Sequence, residues 1–188
     1  IFKKMNAAIF FFLCVIVYMN DAQQEERKET LDTTMNVAHS LSGHFTNGSS
    51  LQIEGYITGK YMTINLMTTE KWGKAFHFSA RIDEQIIIRT SATEISNYGP
   101  EEEDGPMPFK YNETFDLVFN YEPSGIRYTS NGSELGFFKH RVPSPETAYN
   151  YVSFAEDWVP TKAELFSCIA SLPGYFLLYF LIACMQKM

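Results

Sequence analysis

Between Cys14 and Cys168 the chain has no cysteine, and its third, Cys184, lies near the far end. The middle of the chain therefore has no disulfide framework and no thiolate metal site. Positive charge is also scarce. Fifteen Lys and Arg stand against 22 Asp and Glu, for a net charge of −7. Proteins held to nucleic acid by phosphate contacts carry a basic footprint, so that class is excluded. No Gly-x-Ser-x-Gly elbow, phosphate-cradling glycine loop or dinucleotide fingerprint occurs. His39, His44, His77 and His140 never pair at metal-helix spacing, so neither a metal nor a cofactor is expected. Helical periodicity is missing throughout the central region.

What is present is enough for one domain with appendages: 188 residues, 45 % hydrophobic and 20 % charged. The aromatic share is 15 %, with 16 Phe and 11 Tyr, which favours β structure. Residues 7–19 read AAIFFFLCVIVYM, preceded by Lys3 and Lys4. A short apolar run behind positive charge is a signal peptide, expected over 1–22, because a spanning helix needs roughly 20 residues. Residues 23–39 are mostly polar and read as a linker. At the other end, 165–186 is an uncharged, largely apolar segment. It is long enough to span a bilayer, and three readings stay open: a membrane span, a removed GPI-attachment tail, or an apolar tail that packs on something. With the signal peptide, these features place the chain outside the cell or on the outer face of the plasma membrane.

From Leu51 onwards short runs alternate. Leu51-Gln-Ile-Glu-Gly-Tyr-Ile and Tyr61-Met-Thr-Ile-Asn-Leu-Met alternate large apolar residues with polar or small ones. Phe76 to Arg81 puts the phenylalanines on one face and His77, Ser79 and Arg81 on the other. Further strands are expected at Ile86–Arg89, Phe115–Phe119, Ile126–Thr129, Leu135–Phe138 and Tyr149–Phe154. Asn131-Gly132 marks a hairpin turn whose two central residues need positive φ. Many short strands separated by turns describe an all-β antiparallel sandwich or jelly roll. Three sequons, at Asn47, Asn112 and Asn131, fall in expected turns or loops and are candidate glycosylation sites. The run Glu101-Glu102-Glu103-Asp104 reads as a solvated acidic loop, since nothing basic is adjacent in sequence. His39 and His44 read as solvated too.

One constellation has chemistry: a polar strand face of His77, Ser79 and Arg81, then Thr90, Tyr98 and Glu101. Charged and polar forks suit sugar hydroxyls, and an aromatic ring covers the apolar C–H face of a pyranose. A polar outer strand face can equally be plain surface.

Phe76-His77-Phe78-Ser79-Ala80-Arg81 resembles the galectin motif His-Phe-Asn-Pro-Arg. Ile86 to Ser91 resembles the apolar run that follows it, and Tyr98-Gly99-Pro100-Glu101 resembles Trp-Gly-x-Glu, with Pro108-Phe109 at the family's spacing. Asn131-Gly132 with Phe138-Lys139-His140-Arg141 is similar to the family's late hairpin, and Leu51-Gln-Ile-Glu-Gly fits its opening. The resemblance covers roughly Ser40 to Trp158 and implies a galectin-like jelly-roll carbohydrate-recognition domain, delimited here as 40–160.

The resemblance implies a carbohydrate site of His77, Ser79, Arg81, Thr90, Tyr98, Glu101 and Glu103. His77, Arg81 and Glu101 keep the family residue, and Tyr98 replaces a stacking Trp. Ser79 and Thr90 stand where the family has Asn. Glu103 stands where it has an Arg that braces the Glu, so Glu101 loses a partner and gains a repelling neighbour. The implied function is a lectin for β-galactosides or related glycans, with weakened or altered specificity. The implied partners are glycans of glycoproteins or glycolipids, with a second copy of the chain and a membrane as further candidates. The alternative is a galectin-fold protein-interaction module that no longer binds sugar. Phe78, Phe109, Phe138 and Trp158 are assigned to the core, and His140 and Arg141 to structural roles. A glycosidase built on Glu101 is disfavoured because no second positioned acid is evident.

Overall fold

The computed structural model describes residues 26–69, 73–92, 97–141 and 149–168. Nine strands follow in order: β1 (Glu26–Thr30), β2 (Ala38–Ser40), β3 (Ser50–Met67), β4 (Lys74–Arg81), β5 (Ile86–Ala92), β6 (Thr114–Glu122), β7 (Gly125–Ser130), β8 (Ser133–Lys139) and β9 (Tyr151–Cys168). No helix occurs among the described residues, and none there is long and apolar enough to cross a membrane.

Two long strands make the sandwich. The first part of β3 pairs antiparallel with β6, Ser50 opposite Asn120 through Tyr56 opposite Thr114. Its last part pairs with β4, Tyr61 opposite Arg81 through Leu66 opposite Phe76. β9 follows β3 along both parts, and the register breaks between Ile57 and Met62. At that break β3 carries extra residues opposite Asp157, and Glu156 adopts φ 77°. Gly59 sits so close to Asp157 that a Cβ there would lie 2.4 Å from the aspartate's own Cβ. A bulge of this kind bends a strand, so β3 and β9 each pass through both layers. One layer holds β2, β4 and β5 alongside their first-mentioned partners, and the other holds β1, β6, β7 and β8.

The core lies between the layers. Phe78 of β4 meets Phe119 of β6 and Tyr128 of β7, both with centroids at 5.5 Å, although these strands share no ladder. Phe76 packs on Phe138 of β8 at 4.8 Å. Phe109 and Trp158 close one side around Phe115. All of these rings are buried, as their phase within the alternating pattern requires. Edge-to-face pairs of this kind add on the order of 1 kcal/mol each beyond simple burial.

The turns match their residue chemistry. Asn131 and Gly132 take φ 48° and 77° between β7 and β8, the geometry of a two-residue hairpin with both central residues left-handed.

Part of the stretch read as a linker is built into the sandwich. Glu26–Thr30 is β1, beside β9, and the buried Leu31 donates its N–H to the carbonyl of Ala163. His39 is not solvated: it is buried on β2, and its Nε2–H donates to the Thr34 carbonyl at 2.8 Å. Leu165, the first residue of the expected C-terminal apolar segment, lies opposite Leu51 in the core. The rest of that segment from 169 on, and the signal-peptide stretch 1–22, lie outside the described residues.

Candidate functional site

The site is assembled on the outer face of the β3–β4–β5 layer. Three consecutive cross-strand rows define it. Asn65, His77 and Thr90 form the first, Thr63, Ser79 and Ile88 the second, and Tyr61, Arg81 and Ile86 the third. Directly opposed residues on neighbouring antiparallel strands point the same way. The sequence-predicted His77, Ser79, Arg81 and Thr90 therefore share one surface.

This surface is polar but largely covered. Thr63, Asn65, Ser79 and Thr90 are buried on it. Buried polar groups need partners, and these have them. Asn65 Nδ2 donates to Ser153 Oγ of β9 at 3.1 Å. Thr63 Oγ1 donates to Ser79 Oγ at 3.4 Å. Thr90 Oγ1 donates to the Gly99 carbonyl at 3.0 Å.

His77 is the most defined group. Its Nδ1 lies 2.7 Å from Asn65 Oδ1. A carboxamide oxygen only accepts, so Nδ1 holds the proton and Nε2 is left as an acceptor. Burial pushes the imidazole down to about 4, and the Lys74 and Arg81 cations push in the same direction. His77 is thus neutral, in one tautomer, at ordinary pH. Sequence reasoning missed Asn65. The signal was there, because Thr63 and Asn65 are polar at alternate positions of an otherwise apolar strand.

Tyr98 stands beside the histidine, with ring centroids 5.3 Å apart in an edge arrangement. It is 40 % exposed, and its ring is open to stacking on a ligand. Lys74, also missed, donates to the Tyr98 hydroxyl at 2.6 Å and reaches to 5.1 Å from its ring centre. Arg81 is half-buried and gives one nitrogen to Glu84 at 3.2 Å. An ion pair this exposed contributes less than about 1 kcal/mol, so the guanidinium stays available.

The remaining two positions come from the segment after Tyr98. Ala92 bridges Tyr98, and Arg89 bridges Glu102, both antiparallel. Arg89 points inward, so alternation turns Glu101 and Glu103 outward, towards the face bearing Thr90. Both are exposed, and neither makes a hydrogen bond or ion pair among the described residues. Three of the run's four acids are exposed, but two of the four are ion-paired. Arg141 takes Glu102 and the Pro100 carbonyl, and Arg89 takes Asp104. No group of three His, Cys, Asp or Glu side chains among the described residues converges to hold a metal.

The arrangement has the elements a saccharide needs. It offers a fixed acceptor at His77 Nε2, donors at Arg81, a ring at Tyr98 and an open carboxylate at Glu101. The family model for galactoside-binding lectins matches residues 36–162, more than half of the chain. The chain belongs to the galectin family.

Among curated relatives of this galectin, a "32 kDa beta-galactoside-binding lectin" of Caenorhabditis elegans is 32 % identical over 102 residues. A protein of the same description from Haemonchus contortus is 31 % identical over 102 residues. In each case the match covers 54 % of this chain and 36 % of the relative, so the chain spans about a third of their length. The crystal structure of Caenorhabditis elegans galectin LEC-6 superposes with a TM-score of 0.62 at 23 % identity. That match covers 74 % of this chain and 95 % of the other, and it establishes the jelly-roll fold. Lectins bind carbohydrate without transforming it, so the glycosidase reading falls with the family assignment.

Proposed function

We propose that this galectin binds β-galactosides or related glycans on the outer face of β4 and β5, with affinity or specificity changed from the family pattern. The observation that carries the reading is the His77 pairing with Asn65 beside an exposed Tyr98. A neutral imidazole with Nδ1–H committed accepts one sugar hydroxyl at Nε2, and the adjacent ring takes the C–H face. Arg81 donates to hydroxyls or the ring oxygen, and Glu101 accepts from a hydroxyl. The two nematode relatives are described as β-galactoside-binding, which supports the ligand class.

The change in affinity follows from three positions. Ser79 and Thr90 offer a hydroxyl where the family offers an amide, and both hydroxyls already have internal partners. Each lost neutral hydrogen bond is worth about 1 kcal/mol. Glu103 puts a second open carboxylate near Glu101 rather than a cation. These same observations favour a second reading, a protein-binding face on a galectin fold.

Calorimetric titration of the chain with lactose to tens of millimolar, followed by a glycan array, separates the readings. Saturable lactose binding that disappears in His77→Ala supports the galactoside site. An array signal without lactose binding supports changed specificity. Silence on both from a folded sample leaves the protein-binding face. For location, we infer the secretory route. Asn47, Asn112 and Asn131 are all exposed at turns, as glycan acceptors must be. Enzymatic deglycosylation of the chain expressed through that route should lower its apparent mass on a gel by at least one glycan. An unchanged band argues against it.

A further inference from the structure

Arg89 is out of place by ordinary rules. It lies on β5 facing the sandwich interior, 2 % exposed, with its guanidinium 5.9 Å from the Tyr128 ring centre. Its Nε has no hydrogen-bond partner among the described residues. Its other two nitrogens go to Asp104, one to the carbonyl and one to the carboxylate. That carboxylate is 91 % exposed, so the ion pair links the core to the acidic segment and does not lie within either. The Arg89 main chain exchanges both N–H···O bonds with Glu102, each at 2.9 Å. Burying a guanidinium is costly, and an apolar side chain of similar volume usually serves stability as well or better. A core position that nevertheless holds an arginine calls for a gain elsewhere.

Arg141, just beyond β8, grips the same segment from its other side. Its guanidinium stacks 4.7 Å from the Phe138 ring centre and donates to the Pro100 carbonyl and the Glu102 carboxylate. Every paired acid of the run faces one of these arginines, and the two unpaired ones, Glu101 and Glu103, face outward with Tyr98. Apart from the two isolated bridges, this segment has no strand of its own.

We propose that Arg89 and Arg141 are positioning residues for the carbohydrate site, holding segment 98–104 so that Tyr98 and Glu101 are presented to the ligand. The purpose assigned here rests on the carbohydrate-binding reading, whereas the bracing itself does not. Arg89 works from beneath and Arg141 from the side. Glu101 thereby keeps its place without a direct cation partner and remains fully available to a hydroxyl.

The test uses the whole chain, with lactose as the probe and amide hydrogen exchange of Gly99 and Glu102 as a ligand-free readout. These two amides donate to Ser91 and Arg89. In Arg89→Met, exchange of both should speed up at least tenfold and lactose binding should weaken at least fivefold, while the melting temperature holds or rises. A merely structural arginine would instead lower the melting temperature together with binding, and that result overturns the proposal. Unchanged exchange overturns it too. Arg141→Glu should loosen the same amides, and the reversed pair Arg141→Glu with Glu102→Arg should restore them to within threefold. Failure of the reversal to restore them removes Arg141 from the role. If the unaltered chain does not bind lactose, the galactoside reading has failed, and exchange alone decides the bracing.

Discussion

The two halves of the site are made of different material. His77, Ser79, Arg81 and Thr90 stand on strands paired along their length, β4 between β3 and β5. Tyr98, Glu101 and Glu103 stand on a segment tied down by two isolated bridges and two arginines. In the strand half, position follows from the pleat, and a side chain can change identity without moving its neighbours. In the segment half, position depends on particular side chains elsewhere. In the strand half, Ser79 and Thr90 stand where the resemblance expects Asn; Ser79 Oγ accepts from Thr63 and Thr90 donates to the Gly99 carbonyl. In the segment half, Glu103 stands where the resemblance expects a cation, and the bracing comes from Arg89 and Arg141, which lie far from the segment in sequence.

Four changes test this contrast, from the largest effect to the smallest. Phe78→Ala removes the ring that joins β4 to Phe119 and Tyr128. It should cost about 4 kcal/mol in denaturant unfolding and damage the strand half through its foundation. Acidification comes next. The folded His77 imidazole sits near 4 against an ordinary 6.5, so the unfolded chain takes up the proton first as pH falls. Stability from this group is complete above about pH 6.5 and declines towards pH 4, by on the order of 3 kcal/mol. Lactose affinity should stay flat from pH 8 to about 6 and fall only as pH approaches 4, read by titration at each pH. A midpoint near 6.5 would mean that burial and the Lys74 and Arg81 cations do not hold His77 neutral.

His77→Ala at neutral pH should weaken lactose binding by about 2 kcal/mol, roughly thirtyfold, and lower unfolding stability by about 1 kcal/mol, because the buried Asn65 Oδ1 loses its donor. In the segment half, Glu103→Arg should strengthen lactose binding by about 1 kcal/mol, roughly fivefold, because it gives Glu101 a cation and removes a repelling carboxylate. No gain there would show that Glu103 points away from the ligand.

Legibility divides along the same line. The strand half could be read from Phe76 to Arg81, because a period of two needs no knowledge of neighbours. Asn65 was within reach for the same reason. The Asn131-Gly132 turn was readable because its φ requirement is local. The bracing of the acidic run was not readable. Arg141 is 39 positions from Glu102 and Arg89 is 15 from Asp104, so a reading confined to neighbours in sequence could not see these pairs. His39 failed in the same way, its polar surroundings in sequence hiding the Phe154 ring 5.8 Å away. The bend of β3 and β9 was equally hidden, because it is a mismatch in length between two strands far apart in the chain.

By itself the sequence determined the all-β class, the phase of the central strands from Leu51 to Phe138, the hairpin turn and the polar face bearing His77, Ser79 and Arg81. These are local consequences of side-chain alternation and of φ. Only the tertiary structure decided that His77 is a neutral acceptor, that Thr90 gives its hydroxyl proton to the Gly99 carbonyl, and that two distant arginines hold the segment carrying Tyr98 and Glu101. Charge state, hydrogen-bond partnership and loop placement depend on what burial brings together, and folding brings together residues that the chain keeps apart.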